Sequence, residues 1–259
     1  MKKILDLKVV KCEKVSKNFA LLQLCTIDDE MPEMQPGQFV QVAIDGSKST
    51  FLRRPISICN VEDGNLWLLV RNAGEGTAWL ISRQPGDIVN VILPLGNGFD
   101  MNIASDKSIL LMGGGVGVAP LLYYGKRLKE QGASPEFLLA AKTSNDLMLI
   151  DEFEKYGTVH ISTDDGSKGE NGLITQNSVL QKKKYDKIAC CGPMPMMKAV
   201  ASYAIKNDIS CEVSLENLMA CGVGACLCCV EDTIDMGHNC VCKEGPVLNI
   251  KRLKWEILV

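Results

Sequence analysis

The chain has 259 residues, enough for two modest domains and a small appendage, and 46% of them are apolar, which excludes wholesale disorder. A formal net charge of −3 gives no field that would collect nucleic acid, and Lys182-Lys183-Lys184 reads as a solvated face rather than a phosphate patch. No apolar stretch is long enough to span a bilayer.

In chain order, the first ten residues start like a secretion signal, but Asp6 and Lys8 interrupt the apolar run and leave an alternating strand pattern. The chain is therefore expected to stay in the cytoplasm. Residues 1–100 read as antiparallel β. Short strand-like runs at Phe39 to Ile44, Pro55 to Ile58 and Leu66 to Val70 are separated by turn signals such as Pro36-Gly37, Glu62-Asp63-Gly64-Asn65 and Pro85-Gly86-Asp87. Such close spacing predicts a small barrel, which leaves no open sheet edge.

Two segments of this barrel carry chemistry. Arg53-Arg54-Pro55-Ile56-Ser57 supplies arginines whose planar forks can clamp a pyrophosphate. Gly74-Glu75-Gly76-Thr77 precedes a short helix expected over Ala78 to Ser82, whose first amides would take the same phosphates. Taken singly, each segment is read equally well as surface charge or a simple turn. Together, upstream of a nucleotide-type domain, they favour a flavin.

From Ser108 the rhythm changes to strand, glycine loop, helix. Ile109 to Met112 is a continuous apolar run, as expected of a parallel strand covered on both faces. Further strands are expected at Phe137 to Ala141, Val159 to Thr163 and Lys187 to Cys191, with helices around Leu121 to Gln131, Asp151 to Tyr156 and Met196 to Asn207. That alternation predicts a doubly wound α/β domain over residues 101–210. Gly113-Gly114-Gly115-Val116-Gly117-Val118-Ala119-Pro120 follows the first of these strands and opens a helix, the place where backbone amides meet a dinucleotide phosphate. Its spacing is not a strict G-x-G-x-x-G. The segment after the second strand, Lys142 to Asp146, has no arginine for a 2′-phosphate and points to NAD rather than NADP.

Seven of the twelve cysteines fall between Cys211 and Cys242. Without a secretion signal, crowding of this kind points to a metal rather than to disulfides. The other five (Cys12, Cys25, Cys59, Cys190 and Cys191) lie among apolar residues and are expected to be small core residues. Residues 211–259 are too short for a core of their own, so a bound metal is expected to supply the missing stabilisation. Cys221, Cys226 and Cys229 have the C-x4-C-x2-C spacing of a plant-type [2Fe–2S] loop, in which small residues let amides approach the sulfurs. The fourth thiolate comes from Cys240 or Cys242, with Cys242 preferred because it stands just before the Gly245-Pro246 turn. Cys228 and Cys240 are then spectators. The competing reading is a structural zinc held by a set drawn from His238, Cys240, Cys242, Cys226 and Cys229, which leaves Cys221 and the glycines of its loop unexplained.

A barrel with R-x-x-S and G-x-G-T, then G-G-G-x-G-x-A-P, then Cys191-Gly192-Pro193, resembles the ferredoxin–NADP reductase superfamily. The resemblance implies FAD at Arg54, Pro55, Ile56 and Ser57, with Gly76 and Thr77 completing its phosphate site and Leu69, Val70 and Arg71 lining the flavin. Arg54 would meet the pyrophosphate, Ile56 the isoalloxazine and Ser57 its reactive nitrogen. Gly113, Gly114, Gly115 and Gly117 would face Cys191, Gly192 and Pro193 across the nicotinamide nucleotide. Thr163 to Ser167, Cys211 to Glu216, Met219 to Cys226 and Cys242 to Pro246 narrow the match, because they resemble the electron-transfer subunit of type 1B dihydroorotate dehydrogenase. Val247-Leu248 departs from that pattern, where an aromatic is common. The implied function is to take electrons from the FMN of a dihydroorotate-oxidising catalytic subunit, as part of a heterotetramer, through Cys221, Cys226, Cys229 and Cys242 and then FAD to NAD⁺, for pyrimidine synthesis. No side chain of the chain is expected to act as an acid or base. The alternatives are a flavin and iron–sulfur subunit of a hydrogenase or NAD(P)H:ferredoxin reductase, and a zinc-stabilised nucleotide-binding module without redox chemistry.

Overall fold

The computed structural model describes residues 2–47, 49–235 and 237–256. Six strands close an antiparallel barrel: β1 (Lys3–Ser16), β2 (Phe19–Thr26), β3 (Phe39–Val42), β4 (Arg54–Glu62), β5 (Asn65–Arg71) and β6 (Ile88–Leu95), in the spatial order β1-β2-β5-β4-β3-β6. Helix α1 (Glu75–Ile81) bridges β5 and β6. Alternation fills the barrel with Leu7 and Val9 of β1, Val40 and Val42 of β3, and Leu66, Leu68 and Val70 of β5, all fully buried. The residues between them, Phe39 and Leu69, point out of the barrel and join the neighbouring cores.

The second layer is a sheet of seven strands. In chain order its parts are β7 (Ile109–Gly114), α2 (Ala119–Glu130), β8 (Glu136–Ala141), α3 (Ile150–Glu154), β9 (Thr158–Thr163), β10 (Glu170–Asn171), α4 (Val179–Lys182), β11 (Lys187–Cys191), α5 (Met194–Lys206) and β12 (Ser210–Ser214). A hairpin of β13 (Val230–Thr233) and β14 (Gly237–Cys240), then α6 (Val241–Glu244), lead to β15 (Val247–Asn249). The sheet order β10-β9-β8-β7-β11-β12-β15 is parallel apart from β15, which pairs antiparallel with β12. Ile109 to Met112 are fully buried because both faces of the sheet are covered.

Helix α2 ties the two layers together. Tyr123 Oη donates to the Met34 carbonyl (3.0 Å), Lys126 Nζ to the Val61 carbonyl (2.9 Å) and Tyr124 Oη to the Asp100 carbonyl (2.8 Å). Phe99 stacks on Tyr124 with ring centroids 4.6 Å apart.

The cysteine-rich segment is built into the main core. Cys229, Val241, Cys242, Leu248, Ile250 and Leu253 pack in one cluster with Leu110 and Val213 of the sheet and with Phe39 and Leu95 of the barrel. A backbone bond from Asn97 N to the Gly245 carbonyl (2.6 Å) and another from Leu215 N to the Pro246 carbonyl (3.0 Å) fix its path. Two other expectations change in detail. Helix α1 starts at Glu75, so Gly76 and Thr77 lie in its first turn instead of before it. Cys59, Cys190 and Cys191 are buried as expected of core residues, whereas Cys12 and Cys25 are only half-buried.

Candidate functional site: a flavin-sized cleft beside a cysteine loop

A cleft of about 440 Å³ opens where the barrel meets the sheet. Its barrel wall is Arg54, Pro55, Ile56 and Ser57 of β4 with Leu69 and Arg71 of β5. Val116 and Ala119, at the start of α2, form a second wall, and the segment 215–219 closes the third. The two neighbouring arginines are used differently. Arg53 is bound to the barrel, with Nη1 donating to the Asn90 carbonyl (3.1 Å) and the Gln41 carbonyl (3.3 Å) and Nη2 to Asn90 Oδ1 (2.5 Å). Arg54 lines the cleft and lies against Gly76, where a Cβ would come within 2.8 Å of its Nε.

Of the nine residues expected at the flavin, six line the cleft. Val70 does not, since its side chain is in the barrel core, as alternation with Leu69 and Arg71 requires. Thr77 accepts from the amides of Ala73 (2.8 Å) and Gly74 (3.1 Å), which fixes the turn into α1. The hydroxyls of Ser47 and Ser49 hold Glu75 at that turn and keep its carboxyl below the usual range. Sequence reasoning missed Phe39, Ala73, Asn217 and Leu218, which carry no motif of their own, and read Val116, Ala119 and Pro246 only within the glycine and cysteine motifs, not at the flavin. Glu216 also lines this cleft. Crowding by protein atoms raises its carboxyl, and the charge of Arg71 opposes that shift.

The glycines at the end of β7 face the end of β11 directly. Gly113 pairs with Cys191 in the sheet register. A Cβ on Gly117 would come within 2.5 Å of the Cys191 carbonyl, and one on Gly114 within 2.5 Å of Met196 Sδ. Both glycines thus permit close packing of strand, helix and loop. Gly115 is different: its φ is +57° and nothing lies within 4 Å of where its Cβ would be. It leaves an open approach at the start of α2, where free amides favour a phosphate. Gly192 and Pro193 follow β11 and lead into α5. The Cys191 thiol is fully buried, and burial pushes its pKa well up, so it is no nucleophile.

The cysteine loop holds its sulfurs with backbone amides. Val223 N (3.4 Å) and Ala225 N (3.3 Å) donate to Cys221 Sγ, Gly224 N to Cys242 Sγ (3.1 Å) and Cys242 N to Cys229 Sγ (3.3 Å). The Val223 amide is the main cause that lowers the Cys221 thiol, with the Cys226 and Ala225 amides helping, whereas burial raises that of Cys242. Cys226 contacts Cys221 from the exposed side of the loop. Cys240 is half-buried at the start of α6, and Cys228 is exposed. Among the described residues no three His, Cys, Asp or Glu side chains are already arranged as a metal cage. The donor set still fits an iron–sulfur group, because four amides aimed at three thiols are what cluster thiolates require. His238 instead pairs with Asp232 (2.6 Å) on the exposed face of the β13–β14 hairpin.

Barrel, cleft, glycine edge and sulfur loop together define the class: a nicotinamide-linked flavin reductase with an iron–sulfur centre. The model of the iron–sulfur cluster binding domain of dihydroorotate dehydrogenase B matches residues 216–254, and that of the oxidoreductase NAD-binding domain matches residues 111–202. The dihydroorotate dehydrogenase B (NAD(+)) electron transfer subunit of Geobacillus kaustophilus is 39% identical over 218 residues, covering 82% of this chain and 84% of that protein. Its counterpart in Listeria monocytogenes is 35% identical over 255 residues, covering 96% and 98%. Among solved structures, an NADH-dependent reduced ferredoxin–NADP oxidoreductase superposes with a TM-score of 0.85 at 28% identity, covering 96% of this chain and 90% of the other. The chain belongs to the family of dihydroorotate dehydrogenase B (NAD⁺) electron transfer subunits. It is an oxidoreductase subunit with FAD and a [2Fe–2S] cluster as cofactors and NAD as diffusible co-substrate, and it works with a catalytic partner subunit. Among the described residues no helix is long and apolar enough to cross a membrane.

Proposed function

We propose that the chain relays electrons between the FMN of a dihydroorotate-oxidising catalytic subunit and NAD⁺, as part of a cytoplasmic heterotetramer. The observation that carries this reading is the shared wall of the two sites. Residues 215–219 line the cleft and continue directly into Cys221. Nicotinamide exchanges hydride, an iron–sulfur cluster exchanges single electrons, and a flavin does both, so the flavin belongs between them.

The chain's own residues then divide the work by domain: the barrel (1–100) binds FAD, the α/β unit (101–210) binds NAD and the segment 211–259 binds the cluster. Arg54 clamps the pyrophosphate, with Gly76 and the Thr77-fixed turn at the start of α1 alongside it. Pro55, Ile56, Leu69, Val70 and Arg71 shape the bed of the isoalloxazine, Val70 through its backbone, and Ser57 presents its hydroxyl to the ring edge. Gly113, Gly114 and Gly117 draw α2 close to Cys191, Gly192 and Pro193, and Gly115 leaves room for the nucleotide. Cys221, Cys226, Cys229 and Cys242 hold the cluster.

The test is anaerobic purification with absorbance and low-temperature EPR before and after NADH is added. Flavin bleaching with a rhombic [2Fe–2S] signal is expected, and dihydroorotate-dependent NAD⁺ reduction once the catalytic subunit is added. A colourless protein containing zinc would overturn the reading.

A further inference from the structure

Gln41 is fully buried in β3, yet neither polar atom of its side-chain amide has a partner among the described residues. No other buried side chain there leaves both ends of an amide unpaired. Such an arrangement is costly, since an apolar residue of the same shape would fill the space without stranding a donor and an acceptor. The backbone on either side is firmly held. Gln41 pairs with Pro55 of β4 and Ile92 of β6, and its carbonyl accepts from Arg53 (3.3 Å).

Strand alternation decides where this amide points. Val40 and Val42 face the barrel interior, so Phe39 and Gln41 face outward. Phe39 lines the flavin-sized cleft. Two residues along, the Gln41 amide rests on Gly222, the residue after Cys221, where a Cβ would come within 2.9 Å of Nε2. Gly222 has φ +71°, a conformation suited to glycine, and its missing side chain is what admits the amide. One strand thus touches the cleft with one side chain and the sulfur loop with the next.

We propose that Gln41 is the barrel's positioning donor to the iron–sulfur site, its Nε2 giving a hydrogen bond to a sulfur of the cluster held by the Cys221 loop. The inference rests on the cluster assignment above. A carboxamide can present either end by turning about its last bond, and sulfurs that only accept select Nε2. The Val223, Gly224, Ala225 and Cys242 amides come from the cysteine segment itself, whereas this donor belongs to the flavin-binding barrel. Hydrogen bonds to cluster sulfurs favour the reduced, more negative state and raise the reduction potential.

The experiment is an EPR-monitored redox titration of the purified, iron-loaded chain as wild type and as Gln41→Met, with iron and flavin content measured on both. The variant should keep its iron, its flavin and its rhombic signal. Its cluster should be harder to reduce, by about tenfold in the reduced-to-oxidised ratio at a fixed potential, or about 59 mV for one electron. The flavin potential should not move. Gln41→Glu, which has no donor and adds negative charge, should shift the cluster in the same direction and further. An iron-loaded Gln41→Met with the wild-type potential would overturn the role of Gln41 and leave the cluster assignment standing. Absence of a rhombic signal from the wild type would overturn the assignment, and this inference with it. Should neither variant fold, pulsed EPR on wild-type protein labelled with side-chain ¹⁵N-glutamine decides. A ¹⁵N coupling at the reduced cluster supports the donor, and none refutes it.

Discussion

The turn into β4 sends the Arg53 guanidinium onto Asn90 and the Gln41 carbonyl and leaves Arg54 beside Gly76 in the wall of the cleft. Only the second arginine is available to a ligand. Arg54→Ala removes a charge-assisted contact of about 1.5–3 kcal/mol, so FAD affinity should fall by at least tenfold while the iron content stays constant. Flavin-to-protein ratios after desalting check this, and an unchanged ratio removes Arg54 from the site. The same kind of local contact favours Cys242 over Cys240 as the fourth thiol. Cys242 exchanges hydrogen bonds with the loop through Gly224 and Cys229, while the Cys240 thiol makes no such bond among the described residues. Cys242→Ser should therefore lose or alter the visible and EPR spectra, and Cys240→Ser should leave them unchanged. The reverse result would make Cys240 the ligand.

At the scale of elements, the glycine edge is a packing device as much as a binding one. Gly117→Ala forces a methyl to within 2.5 Å of the Cys191 backbone, and overpacking of this kind costs about 1–3 kcal/mol, visible as a lower Tm. Glu136, at the start of β8, links three elements by accepting from Lys183 (2.5 Å), Tyr185 Oη (2.9 Å) and His160 Nε2 (2.9 Å). Burial pushes its carboxyl up, but these hydrogen bonds outweigh burial and hold it below the usual range. A lowered folded-state pKa gives stability that is complete above the carboxylate's ordinary value and is lost as pH falls toward the lower one. Glu136→Gln should thus lower Tm at neutral pH, with the gap to wild type closing below about pH 4. A gap that does not change with pH would show that the ionised carboxylate is not what matters.

Elements with a repeating apolar pattern were legible before any coordinates. Ile109 to Met112 reads as a buried strand because its apolar run is unbroken, and it is fully buried. The start of α1 was misplaced by three residues because its cap is Gly74, which offers no side-chain signal. Gln41 was illegible for a different reason: a polar residue between two valines looks like the solvent face of a strand. Only its contact with Gly222, far along the chain, shows otherwise.

At the scale of the whole molecule, two interfaces matter, one internal and one external. Internally, Lys187 is nearly buried between Glu212 (2.9 Å) and Asp100 (3.3 Å) and so joins the sheet to the linker that leaves the barrel. Lys187→Met leaves two partly exposed carboxylates without their cation and should destabilise by about 1.5–3 kcal/mol. Chemical denaturation measures this, and a loss under 1 kcal/mol would show that the brace is not needed. Externally, Leu218, Val223 and Leu227 are 86%, 42% and 65% exposed around the cysteine loop, an apolar rim where, on the proposed function, the partner subunit would dock. Leu227→Glu should weaken co-purification with the catalytic subunit while leaving the NADH-reduced spectra intact; undiminished association would place the contact elsewhere.

The antiparallel edge strand β15 has a further consequence, which concerns timing. Barrel, glycine edge and every parallel strand are encoded before Cys221, whereas Cys242 arrives just ahead of β15 and shares a core with Phe39 and Leu95. During synthesis the barrel wall of the cleft is thus complete well before Cys242 emerges, while Pro246, which closes the cleft, follows that cysteine. On the proposed function, cofactor loading would then have a natural sequence, with FAD meeting the barrel wall first and a four-thiol site waiting for the last segment before β15.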